Sequence, residues 1–151
     1  MNPQAAQSYL RAKVLTAAEQ LQLMLFDGGI RFAEQGKAAL LKTDYQTSHK
    51  CLTRAQEIVN ELTSNLRRDV FPELCEKLAA LYAYAHRHLV QANVRHDTAL
   101  VDEALKVLRF QRETWAMLLQ QLGKTKAAEA ATRHEPANDA LRADATISMQ
   151  G

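Results

Sequence analysis

Between Leu21 and Phe32 the chain reads L-Q-L-M-L-F-D-G-G-I-R-F, a stretch apolar in almost every direction around a helix. At helical spacing Leu21, Leu25, Gly28 and Phe32 share one face, while Leu23, Phe26 and Ile30 share another. A surface helix is apolar over a single stripe, so a helix with two apolar faces is central in a bundle or offers one face to a partner. Gly28 and Gly29 each cost about 1 kcal/mol relative to alanine in a helix, which points to a close approach by a neighbouring element. Close packing of one helix on another is the simplest reason for the pair.

Upstream, Thr16 and Glu19 form T-x-x-E, a pattern that closes the free amides of a helix start, so the first helix is expected near Ala17 and runs to about Lys42. Thr43 and Asp44 make a turn, and Asp44 suits the N-cap of a second helix over about 45–66. There Leu52, Ala55, Val59, Leu62 and Leu66 recur at alternating steps of three and four, a narrow packing seam with Ile58 beside it. Pro72 opens a third helix over about 72–94, with Leu74, Leu78, Leu81, Ala85, Leu89 and Ala92 on its expected stripe. Tyr82, Val90 and Val94 widen that stripe, and Tyr84 points elsewhere. Asp97 caps a fourth helix over about 98–122, carrying Val101, Ala104, Leu108, Trp115, Leu118 and Leu122, with Gly123 as its expected stop.

Such short connections force neighbouring helices antiparallel. The expected fold is all-α: an elongated antiparallel up-down four-helix bundle over 16–123, with a mobile N-terminal arm over 1–15 and a C-terminal tail over 124–151. The arm carries Tyr9, Leu10, Val14 and Leu15, enough to fold back on a groove. The tail is alanine-rich and polar with Pro136 inside it, and is expected to be mostly disordered.

Composition narrows the function classes. The 151 residues fit one domain that needs neither disulfide nor metal. A net charge of +2, from 19 basic and 17 acidic residues spread along the chain, gives no electrostatic footprint for nucleic acid or an anionic membrane. No run approaches eighteen apolar residues, which excludes membrane insertion by a spanning helix, and the first residues lack the pattern of a secretory signal. A cytoplasmic location follows, with Cys51 and Cys75 as reduced packing residues.

Candidate chemistry is thin. His86 and His88, two apart on a helix, point about 200° away from each other and cannot share a ligand site. No Glu-x-x-His of the di-iron bundles occurs, and H-K-C-L at His49 is a poor match to a phosphotransfer helix. There is no glycine loop for phosphate, no Cys-x-x-Cys and no Gly-x-Ser-x-Gly. The expectation is a binding protein: no enzyme, no cofactor and no metal.

The blocks V-L-T-A-A-E-Q-L-Q-L-M-L-F-D-G-G-I-R-F from Val14, R-A-Q-E-I-V-N-E-L from Arg54, L-A-A-L-Y-A-Y from Leu78, H-L-V-Q-A-N from His88 and E-T-W from Glu113 closely resemble the flagellar secretion chaperone family FliS. The likeness spans about Tyr9 to Leu122 in order and spacing. It implies a cytoplasmic helical bundle that binds the disordered C-terminal segment of flagellin, keeps it from polymerising early and presents it to the type III export apparatus. It also implies an arm whose aromatic covers part of the groove, with Tyr9 as its counterpart. This chain has Ala17-Ala18 where the family usually has Ser or Thr followed by Pro, which gives the capping role to Thr16.

Folding a disordered segment into a groove requires apolar residues outside the core seams. Leu23, Phe26, Ile30, Ile58, Tyr84, Val90 and Val107 are the candidates for that contact, with Tyr9 and Leu10 as a competing lid. Export-gate components, other flagellar regulators and a second copy in a weak homodimer complete the expected partners. The alternative in another class is a generic helical adaptor without flagellin specificity.

Overall fold

The computed structural model describes residues 3–4 and 16–149. It has four α-helices, α1 (Ala17–Leu41), α2 (Tyr45–Ser64), α3 (Pro72–Arg95) and α4 (Thr98–Met149), and no strand among the described residues. Ala17–Ala116 forms one compact unit, which holds the core cluster, and the chain from Met117 onward belongs to a second.

Local chemistry sets the helix ends. Asp44 Oδ1 accepts the Thr47 N–H at 3.2 Å to cap α2, and Asp97 Oδ1 accepts the Ala99 N–H at 2.9 Å at the start of α4. α3 starts with Pro72 at a first-turn position, where its missing amide costs nothing. Two helices end in left-handed residues: Thr43 after α1 at φ 56° and His96 after α3 at φ 54°. At the first, Thr43 N–H donates to Leu40 C=O at 3.0 Å and Asp44 N–H to Ala39 C=O at 2.9 Å, the paired bonds that close a helix C-terminus. A β-branched threonine in that region is strained by about 1–2 kcal/mol. The imidazole of His96 stacks on Tyr45 at 3.8 Å and 8°, so the start of α2 and the end of α3 meet at one end of the bundle.

Neighbouring helices run antiparallel. Along α1 and α2, Gly36 faces Leu52 and Gly28 faces Ile58. Along α1 and α4, Lys37 pairs with Asp102 at 2.8 Å, Glu34 with Arg109, and Asp27 with Arg112 at 2.6 Å, while the Trp115 indole N–H donates to the Glu19 carbonyl at 3.4 Å. Exposed pairs of this kind contribute about 0–1 kcal/mol each, so the seam is held by the apolar layer beneath them.

That layer includes Phe26, Leu40, Leu52, Ala55, Val59, Leu62, Tyr82, Ala85, Leu89, Ala92, Val101, Ala104, Leu105 and Leu108. The α2 seam is as expected, with Leu66 partly buried at its end. The α3 stripe is corrected in its first half: Cys75 and Tyr82 are buried, whereas Leu74 and Leu81 are 54% and 40% exposed. Residues 75, 78, 82, 85, 89 and 92 keep strict steps of three and four back from Ala92, and a helix packed along its whole length holds that register. Leucines one position off it turn outward despite their hydrophobicity.

The glycines of α1 mark where α2 comes close. A Cβ on Gly28 or Gly29 would meet Ile58 methyls at 3.3 Å, a contact that a small shift relieves. On Gly36 it would sit 2.6 Å from Leu52 Cδ2 and 2.8 Å from Cγ, with Leu52 fully buried. Gly36→Ala is therefore expected to destabilise by about 1 kcal/mol, overpacking outweighing the gain in helix propensity. Gly29→Ala is expected to be neutral or stabilising. Urea unfolding of both variants checks this, and in a Leu52→Ala background the Gly36→Ala loss is expected to vanish.

Tyr82, 2% exposed and 6.4 Å from the Phe26 ring, has its phenol pushed up to about 12 by burial. Its folded value lies above its unfolded one, so the neutral ring's contribution is complete below pH 10 and is lost as pH rises toward 12. In that window stability is expected to fall by up to about 1.4 kcal/mol per pH unit from this group. The urea midpoint of Tyr82→Phe, measured against the parent from pH 9 to 12, is expected to lack that part of the decline.

The fourth helix departs from expectation. It runs from Thr98 to Met149, through Gly123 and Pro136, where a stop near residue 122 was expected. A helical glycine costs about 1 kcal/mol, and the following K-T-K-A-A-E-A-A-T is rich in strong helix formers, so Gly123 does not stop the chain. Pro136 removes one amide donor from the helix.

Candidate functional site

The two apolar faces of α1 have different fates. On the Leu23, Phe26 and Ile30 side, Phe26 is 2% exposed against Tyr82, Ile30 packs partly buried on the core, and Leu23 is half-buried. The Leu21, Leu25, Gly28 and Phe32 side opens on a groove of about 340 Å³ shared with α2. Leu21 and Met24 stand exposed on its lip at 48% and 67%, Gly28 and Ile58 form its floor, and Arg31, Arg54, Glu57 and Glu61 border it. Gly28 has no side chain to fill this space, so the close approach of α2 and the depth of the groove have one cause.

Charge along the groove is uneven. The guanidinium carbons of Arg31 and Arg54 lie 5.2 and 5.7 Å from the centroid of the Phe32 ring, positions that favour a cation over an aromatic face. Arg54 also pairs with Glu57 at 2.7 Å. Met24, Leu25, Phe32 and Ile58 offer apolar surface between these groups, enough for side chains of an amphipathic helix but with no grouping of chemistry for catalysis. Among the described residues no three His, Cys, Asp or Glu side chains are grouped to hold a metal ion, and no helix is long and apolar enough to cross a membrane.

The residues nominated from sequence are dispersed. Ile58, 8% exposed, is the nominee that lines the groove. Val107 is half-buried on the core. Tyr84 donates its hydroxyl to Glu103 Oε2 at 3.2 Å and lies 4.0 Å from the His88 ring, whose Nδ1 donates to the Tyr84 carbonyl at 2.8 Å. Val90 is exposed on α3. Tyr9 and Leu10 lie outside the described residues. Leu21, Met24, Leu25, Arg31, Phe32 and Arg54 line the groove and were not nominated from sequence. The available signal was the spacing of Leu21, Leu25, Gly28 and Phe32 on one face with Met24 and Arg31 beside it.

Comparison with known proteins points to one family. The family model described as "Flagellar protein FliS" matches residues 1–122. The chain is 32% identical over 126 residues to the flagellar secretion chaperone FliS of Bacillus subtilis (strain 168), covering 83% of this chain and 92% of that protein. To the chaperone of the same name from Escherichia coli (strain K12) it is 32% identical over 112 residues, covering 73% and 82%. The Salmonella typhimurium protein is 30% identical over 115 residues, covering 75% and 85%. A four-helix unit of matching extent, joined to these likenesses over most of both chains, places the protein in the FliS family of flagellar secretion chaperones.

Proposed function

We propose that this flagellar secretion chaperone works in the cytosol by taking the disordered C-terminal segment of flagellin into the groove between α1 and α2. So held, the segment neither polymerises early nor misfolds before the subunit reaches the flagellar type III export apparatus. The observation that carries the reading is the exposed apolar lip of Leu21 and Met24 over a floor of Gly28 and Ile58. An amphipathic helix that would otherwise pack on its own kind finds an equivalent surface there. Ordering it costs about 2–5 kcal/mol of the gross interaction, which the apolar contact must exceed. No step of the work is enzymatic.

Calorimetric titration with a peptide of the C-terminal segment of the same organism's flagellin tests this. Binding at 1:1 with a gain of helix by circular dichroism and a negative heat-capacity change is expected. Absence of binding at high micromolar peptide would remove flagellin as the substrate and leave the generic adaptor.

A further inference from the structure

The groove is electrically directional. The antiparallel register that sets Gly28 against Ile58 sets Phe32 beside Arg54 and brings Glu61 to the level of Leu25. One end therefore holds two guanidinium groups around one aromatic ring, and the other holds Glu61 with Glu57 between, the latter already engaged with Arg54. Arg31 and Arg54 are both exposed, and their planar forks suit a carboxylate. A helix lying in the groove has a positive N-terminal end and a negative C-terminal end. Charge complementarity favours a single direction.

We propose, resting on the groove reading above, that the bound segment lies parallel to α1 with its terminal carboxylate held by Arg31 and Arg54. Its preceding turns cover Ile58, Leu25 and Met24, and its N-terminal end lies toward Leu21 and Glu61. From Leu21 to Phe32 the groove has room for about eleven residues of helix, or about 16 Å. The occupant is thus the extreme C-terminus of its partner, where the α-carboxylate and the negative end of the helix dipole fall together at the two arginines. The dipole alone is about half a charge; the α-carboxylate adds a full one.

Two forms of the flagellin C-terminal peptide, free acid and C-terminal amide, distinguish the outcomes by fluorescence anisotropy on the full chain. On the parent protein the amide is expected to bind about tenfold more weakly. On an Arg31→Gln/Arg54→Gln variant both forms are expected at that weaker affinity, with no difference between them. A nitroxide near the peptide's carboxyl end is expected to broaden amide signals around Phe32, and one near its amino end those around Leu21. Equal affinity of acid and amide for the parent, or the reversed broadening pattern, would overturn the anchor while leaving the groove reading standing. Failure of both peptides to bind the parent would overturn the groove reading and the anchor with it.

Discussion

Phe26→Asp is expected to leave the chain without a cooperative thermal transition. Phe26 is 2% exposed and packs on Tyr82, in the layer shared with Leu89 and Leu108. Truncating a buried phenylalanine alone costs about 3–5 kcal/mol, and a carboxylate in its place would lose its hydration to the apolar side chains of the core layer. The sum is on the order of the whole stability of a domain this size. Circular dichroism melts check it, with Phe26→Leu expected to keep a sharp transition. The result decides how such variants are interpreted: a Phe26→Asp protein that fails to bind has lost its fold, which says nothing of Phe26 as a contact.

The complementary result is expected of Leu21→Asp/Met24→Asp. Leu21 and Met24 are 48% and 67% exposed, so helix content is expected to be kept and the melting temperature to stay within a few degrees of the parent. Peptide affinity is expected to fall by about a hundredfold, since each buried aliphatic side chain contributes about 1.5–3 kcal/mol and a tenfold change is about 1.4. Calorimetry with the peptide used for the parent measures it. Unchanged affinity in this folded variant would move the contact away from the α1–α2 groove.

The helix count, the caps at Asp44 and Asp97 and the α2 seam were legible because each depends on residues close in sequence. Two features were not. On α3, Leu74 and Cys75, like Leu81 and Tyr82, are adjacent apolar pairs, and only the packing partner decides which member turns inward. On α1, both faces are apolar, and the inward one was nominated for partner contact in place of the one that lines the groove. Periodicity shows that a second face exists; it does not show which face the other three helices cover. Gly123 failed as a stop for a related reason, since a glycine ends a helix only where the following residues favour another conformation.

The bonds that close the unit join residues far apart in the chain: Trp115 reaches Glu19 across 96 positions, and Arg112 reaches Asp27 across 85. The groove, by contrast, is made by a single helical hairpin, α1 and α2, whose last lining residue is Glu61. During synthesis on the ribosome the residues that line the groove therefore all emerge before the third helix begins. The fourth helix, whose Asp102, Arg109 and Arg112 pair with the first, comes last in the chain. In the order of synthesis the groove is thus complete in sequence before any residue that braces its back has been made.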